Sequence, residues 1–275
     1  MMNSLPEEIE AYRDRLWRRE SVAQVENVFE AEKFIEHVGF AQAMTDSRRP
    51  CPSLYVAVCG RRDAHMPRNV QKDAESSLTW RLKDEVMRRG RVYYAKLARG
   101  RAMFVATRLV PYFNALWGVP RRKEAEVLSA NARAVLKILR REWEMATGDL
   151  REASGIKDRA KFTRALDELQ RTLKVVPGEA LYDPWFTYIW TISESRFAAE
   201  LNVKAKREDA LREVARAYLD CAGLTLRGEL AKASGLSRTE AGLGNRALVE
   251  EGYARRIETG VYCLKDLDKR TTKQS

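Results

Sequence analysis

Histidine is almost missing from this chain: His37 and His65 are the only two in 275 residues. Cysteine is scarce as well, and Cys51, Cys59, Cys221 and Cys263 form no Cys-x-x-Cys pair. A structural zinc site needs clustered Cys and His ligands, so no metal is expected, and the thiols read as reduced and partly buried. No cofactor is expected either. An apolar run of about 18 residues is also lacking, which argues against a helical membrane span. The opening M-M-N-S-L-P-E-E-I-E has no basic stretch followed by an apolar one. It does not read as a secretory leader, and the expected location is the cytoplasm.

What the chain does have is apolar content and positive charge. Hydrophobic residues make up 45% of it, enough for real cores, and its length suits two or three small domains. A formal net charge of +11 favours a polyanionic partner. The charge is uneven: residues 1–47 hold 5 Lys/Arg against 10 Asp/Glu, whereas residues 48–101 hold 14 against 5. The basic middle segment therefore needs its own explanation.

One frame occurs twice at an offset of 80, as G-D-L-R-E-A-S-G-I at 148–156 and G-E-L-A-K-A-S-G-L at 228–236. Repetition of this kind marks a supersecondary unit used more than once. The frame has the physics of a helix-turn-helix. Leu150 and Ala153, and in the second copy Leu226 with Ala231 or Ala233, can face inward on a short helix. Ser-Gly ends that helix, because glycine takes the left-handed conformation without strain. In the helix after the first copy, Phe162, Leu166, Leu169 and Leu173 recur at spacings of 4, 3 and 4, one narrow apolar stripe. Lys157, Lys161, Arg164, Glu168 and Arg171 fall on the opposite side. A recognition helix buries one face in its domain and offers a basic face to DNA. A merely solvated face is the plainer alternative.

Taken in order, residues 6–19 read as an acidic helix opened by Pro6, and 21–37 as a second, capped by Ser21. Residues 38–44 are apolar except for Gln42, and a lone amide in such a run is more often a satisfied structural group. Residues 45–78 are loop-like and basic around a short helix at 53–58, and 79–90 is a helix ended by Gly90. Two β-prone runs, 91–97 and 102–107, flank Arg99-Gly100, a hairpin signal. Its tip offers Lys96, Arg99 and Arg101 to phosphates, unless these only guard edge strands. Residues 108–123 read as a connection and 124–146 as one helix. After the first repeated unit, Val175-Val176-Pro177-Gly178 reads as a turn before the β-prone run 185–190. The aromatics of that run suit packing more than base stacking. The second unit is predicted as helices at about 206–221, from Thr225, and about 237–251, with Arg238 and Arg246 exposed, then a wing at 253–264. Residues 266–275 read as a disordered tail.

V-E-N-V-F-E-A-E-K-F-I-E-H-V-G-F at 25–40, P-S-L-Y at 52–55, W-R-L-K-D at 80–84, Y-Y-A-K-L at 93–97 and F-T-R-A-L-D-E-L-Q at 162–170 carry a resemblance. They resemble bacterial winged-helix proteins of the AlkZ/YcaQ group of alkylpurine DNA glycosylases, most strongly its shorter AlkZ-related branch. The resemblance implies tandem winged helices forming a basic channel for duplex DNA. It also implies a Gln-x-Gln or Gln-x-Asp motif that positions the water attacking the nucleoside C1′. Gln42 falls on the first motif position and is the implied catalytic residue. Met44 falls on the second, where a polar residue is expected. A thioether cannot hold that water, and each missing catalytic contact costs orders of magnitude in rate. Asp46, Asp84 or His65 replaces it only if the fold brings one of them near.

The expected fold is mainly α with small β wings: tandem winged-helix (helix-turn-helix) domains at 124–193 and 206–265, and a divergent winged-helix-like unit with its own hairpin at 6–107. The expected partner is duplex DNA in the nucleoid, bound through Lys157, Lys161, Arg164, Arg171, Arg238, Arg246, Lys96, Arg99 and Arg101. A DNA-binding protein with a degenerate glycosylase motif is the leading reading. A glycosylase releasing alkylated purines and a winged-helix module for binding other proteins are the alternatives.

Overall fold

Pro6 stands ahead of α1 (Glu7–Leu16), where a missing N–H breaks no helical hydrogen bond. The structure is a computed structural model that describes residues 5–265 and 267, so the predicted tail at 266–275 lies, Leu267 apart, outside the described residues. The second helix, α2 (Val28–Val38), starts later than predicted. Asn27 rather than Ser21 is its cap, accepting the Glu30 N–H at 3.1 Å. Val25, Ala31 and Ile35 are buried, but Phe29 is 63% exposed.

The first unit continues with β1 (Phe40–Gln42), α3 (Leu54–Cys59), α4 (Ala74–Arg89), β2 (Val92–Lys96) and β3 (Ala102–Ala106). The predicted connection at 108–123 contains a helix, α5 (Val110–Trp117), because Pro111 in a first turn does not obstruct one. After α6 (Glu124–Val127), the helix predicted over 124–146 is interrupted. Ser129 Oγ accepts the Ala132 N–H and opens α7 (Ala130–Glu142) as a separate element. β4 (Glu144–Ala146), α8 (Thr147–Ala153), α9 (Arg159–Arg171), β5 (Val175–Leu181) and β6 (Thr187–Ile192) complete the second unit. Two short helices, α10 (Ser193–Arg196) and α11 (Ala198–Asn202), lead to the third: α12 (Arg207–Ala222), β7 (Leu224–Thr225), α13 (Glu229–Ser234), α14 (Arg238–Glu250), β8 (Ala254–Glu258) and β9 (Val261–Leu264).

One order, helix–strand–helix–helix–strand–strand, therefore recurs in all three units, and each antiparallel sheet sets its last strand between the other two: β1-β3-β2, β4-β6-β5 and β7-β9-β8. The chain is mainly helical with small sheets. The second hairpin is longer than predicted. Pro177-Gly178 is a bulge inside β5, where the register shifts between Pro177 and Glu179, and the loop is 182–186. In the repeated frame, Gly155 and Gly235 have φ of +69° and +89°, the left-handed values their helix-ending place requires. The inward leucines are Leu150 and Leu230. Ala153 is exposed, and Leu226 lies ahead of α13, half-buried.

Burial of the apolar stripes makes two main cores. One belongs to the second unit and gathers Val135, Leu139, Leu150, Phe162, Leu166 and Trp190. The other runs from the first unit into the third, joining Phe34, Val38, Phe104 and Phe113 to Tyr218, Leu219 and Leu248. Phe40 stacks on Tyr218 with centroids 6.3 Å apart. Each such side chain removed from water contributes about 1.5–3 kcal/mol. This shared interior fixes β1, and hence Gln42, beside α13.

Candidate nucleic-acid interface

Asp158 sets the start of α9: its carboxylate accepts the N–H groups of Ala160 and Lys161 at 2.8 and 3.2 Å. Those hydrogen bonds hold the Asp158 carboxyl below the usual carboxylate range. From this start the helix buries Phe162, Ala165, Leu166, Leu169 and Gln170. Leu173 is buried too, but past the helix end, in the core shared by the other units. Lys161, Arg164 and Arg171 face solvent on α9, and Lys157 is exposed in the loop before the cap. Glu168, the single acid predicted on this side, turns away. Its carboxylate accepts Ser129 N–H at 2.7 Å and Ser129 O–H at 2.6 Å. The solvent face of α9 is thus left basic.

On α14 the capping box of Ser237 and Glu240 fixes the first turn, and Arg238 and Arg246 are exposed. Gly244 lets α14 lie directly on α12, since a Cβ there would come within 2.3 Å of the Leu211 carbonyl oxygen. The β2–β3 hairpin does not project freely. Ala98 at its tip is 2% exposed, and a Cβ at Gly235 would sit 2.9 Å from the Ala98 Cα, so the tip abuts the end of α13. Lys96 is drawn to α9, with Nζ 2.9 Å from Asp167 Oδ1 and its N–H donated to Gln170 Oε1 at 3.0 Å. It joins the first unit to the second, while Arg99 stays exposed. Among the described residues no carboxylate forms an ion pair with Lys157, Lys161, Arg164, Arg171, Arg238, Arg246, Arg99 or Arg101.

Gln42 is 1% exposed, and among the described residues neither atom of its side-chain amide has a hydrogen-bond partner. The satisfied structural amide anticipated for an apolar run is therefore not what the fold builds. Its backbone is well held: Gln42 faces Met103 across the β1–β3 pair, and its N–H donates to Pro52 O at 2.9 Å. The side chain borders a cavity of about 120 Å³ lined also by Arg48, Arg49, Pro50, Cys51, Arg101, Lys232 and Ala233. Arg48 is bound to Asp46, Nε to Oδ2 at 2.8 Å. That bond, against the opposing effect of burial, holds the Asp46 carboxyl below the usual range. Burial, with Arg49 and Arg99 nearby, lowers the Arg101 pKa from its ordinary value. Burial pushes the Cys51 thiol up to about 12, so the thiol stays protonated. The cavity is a concentration of cations whose mutual repulsion an anion would relieve.

Met44 is half-buried against the core. None of Asp46, Asp84 and His65 lines the cavity. Asp46 is committed to Arg48, and Asp84 is held by Lys83 at 2.8 Å and by the Tyr182 hydroxyl. His65 is exposed, its carbonyl accepting the Tyr55 hydroxyl at 2.9 Å. Arg48, Arg49 and Lys232 escaped the sequence reading as site residues. The Arg-Arg-Pro run was visible only as a basic loop, and nothing local to Lys232 places it beside Gln42. Among the described residues no group of His, Cys, Asp and Glu could hold a metal ion, and no helix is long and apolar enough to cross a membrane.

Residues 25–218 match the protein family described as AlkZ related. No curated protein sequence matches. Among solved structures, the Streptomyces sahachiroi DNA glycosylase AlkZ aligns with a TM-score of 0.59, covering 98% of this chain and 72% of its own, at 16% identity. At that identity the likeness is one of fold.

Proposed function

From its place in the AlkZ-related family, to which the chain belongs, we propose that it is a bacterial duplex-DNA-binding protein of tandem winged helices. The winged units are 124–193 and 206–265, with a divergent one at 6–107 and DNA repair as the setting. The recurring order of helices and strands supports the winged-helix reading. The observation that carries DNA binding is the solvent face of α9, where Lys161, Arg164 and Arg171 stand exposed and the one acid, Glu168, is bonded inward. Phosphates neutralise such a face, releasing counterions, so the affinity must fall with salt. Arg238, Arg246 and Arg99 extend the same chemistry. Duplex binding titrated against salt, for wild type and for Lys161→Glu/Arg164→Glu, tests it.

Gln42 supports a second reading, hydrolysis of a glycosidic bond. Its unpartnered amide, beside Arg49, Arg101 and Lys232, suits a water positioned next to a phosphate-anchored sugar. Water adds to C1′ as the C1′–N bond breaks; the bond's electrons leave with the base and neutralise the positive charge of its alkylated ring, and the water's proton passes to solvent. The amide can orient the water but cannot act as a general base at neutral pH. With Met44 at the second motif position, base release is expected to be weak or absent while DNA binding is retained. Robust release from N3- or N7-alkylated duplex that collapses in Gln42→Ala would make hydrolysis the main function. Release only by Met44→Gln marks a decayed site.

A further inference from the structure

The loop between β5 and β6 carries rings that stand largely in water. Tyr182, Trp185 and Phe186 are 60%, 77% and 51% exposed. The packing expected of the aromatics at 185–190 holds for Trp190, which is buried, and in part for Phe186, which is in ring contact with its neighbours, but not for Trp185 at the tip. The residues on either side of Trp185 are nonetheless anchored. Tyr182 and Phe186 are in ring contact at 5.3 Å, Phe186 and Tyr188 at 5.0 Å, and Tyr188 and Trp190 at 5.7 Å. Trp190 is pinned by its Nε1–H to Thr147 Oγ1 at 2.9 Å, and the Tyr182 hydroxyl is bonded to Asp84 of α4. Aromatic surface left in water on an anchored scaffold is preorganised for a flat ligand.

What that ligand is follows from the groove on one side of the tip. It encloses about 530 Å³, and its lining combines Trp185, Phe186 and Tyr188 with Arg151 of α8 and Arg159 and Thr163 of α9. Arg151 and Arg159 are exposed and in no ion pair with a carboxylate among the described residues. Lys96, also in the lining, is already matched by Asp167. Rings and guanidinium groups lining one groove suit a planar group that carries negative charge. Proteins hold unpaired nucleic acid in this way, with cations along the backbone and rings under the bases. A base in a duplex interior has no free face to stack.

We propose that this groove binds an unpaired stretch of DNA, one base stacked on Trp185 and the adjoining phosphates on Arg151 and Arg159. This rests on the DNA-binding reading of α9, whose first turns supply Arg159 and Thr163. The β2–β3 hairpin separates the groove from the Gln42 cavity: Ala102 lines the first and Arg101 the second. Unpaired DNA in the groove would therefore lie next to that cavity.

The test is fluorescence anisotropy with a labelled oligothymidylate of about 12 nucleotides, a length within known single-strand site sizes, and with a duplex of equal length, each at several salt concentrations. Trp185→Ala is expected to weaken single-strand binding about 5- to 100-fold without changing its salt slope, and to leave duplex binding intact. Trp185→Phe, which keeps a ring, is expected to retain most of the affinity. Arg151→Glu/Arg159→Glu is expected to flatten the salt slope for the single strand. Single-strand binding unaffected by Trp185→Ala overturns the inference and leaves the duplex reading standing. A parallel loss on duplex also overturns it, since the site would not be specific to unpaired bases. If wild type binds neither form, both readings fall.

Discussion

A buried polar group without a protein partner costs a fold about 1–3 kcal/mol, and Gln42 buries both its amide atoms in that condition. Leucine fills a similar volume with no polar atoms. Gln42→Leu is therefore expected to leave stability unchanged or raise it by up to about 2 kcal/mol, while DNA affinity falls. Urea denaturation of the two proteins measures the first effect and anisotropy the second. A clear loss of stability would show that the amide serves the fold rather than a ligand. The sequence exposed Gln42 only through its motif position. The cations around it were hidden, because Arg101 comes from the hairpin and Lys232 from the third unit. The repeated frame shows the same limit. Its acidic position is exposed as Asp149 in the first copy and buried as Glu229 in the second, where the residue finds Arg13. A shared local frame cannot announce a partner from the other end of the chain.

At the scale of elements, long periodic helices were legible and short strands were not. β1, β4 and β7 have two or three residues each, too few for alternation to register. Boundaries follow caps: Ser237 and Glu240, at capping-box spacing, open α14, whereas Ser129 inside 124–146 is hidden because the apolar pattern runs past it. The contact of α1 with the third unit was beyond reach of either signal. Arg13 of α1 is 2% exposed, donates to the carbonyls of Leu224 and Ala222 at 2.6 and 3.1 Å, and meets Glu229 at 2.9 Å. Removing one partner strands a buried charge, so Arg13→Met is expected to cost about 3–5 kcal/mol. Pairing it with Glu229→Leu removes the stranded carboxylate and is expected to recover part of that loss. Denaturant midpoints of the single and double variants measure both. A double variant no more stable than Arg13→Met would place the loss in the backbone contacts of Arg13 instead.

Over the whole molecule the question is where a net charge of +11 stays available. Much of the cationic middle segment is spent within the fold. Arg62 is bound by Asp14 and Glu7 of α1, Arg61 by Glu75, and Arg89 by Glu32. The acidic first 47 residues thus cover part of the charge that follows them. Among the described residues, unpaired cations remain on α9, on α14 and around the Gln42 cavity. A ligand that reads this distribution is expected to show a salt dependence set by those residues rather than by net charge. Each phosphate contact contributes about 0.9 to the slope of log affinity against log salt. If Lys161 and Arg164 each neutralise one phosphate, Lys161→Glu/Arg164→Glu removes two contacts. The slope is then expected to flatten by about 2, with the largest loss of affinity at low salt. Both side chains are exposed, so the substitutions leave the buried face of α9 and its Asp158 cap in place. Anisotropy on random duplex between about 50 and 200 mM salt covers the range in which several phosphate contacts change affinity by orders of magnitude. A double variant with the affinity and slope of the wild type would remove α9 from the proposed DNA interface and favour a protein partner for these units.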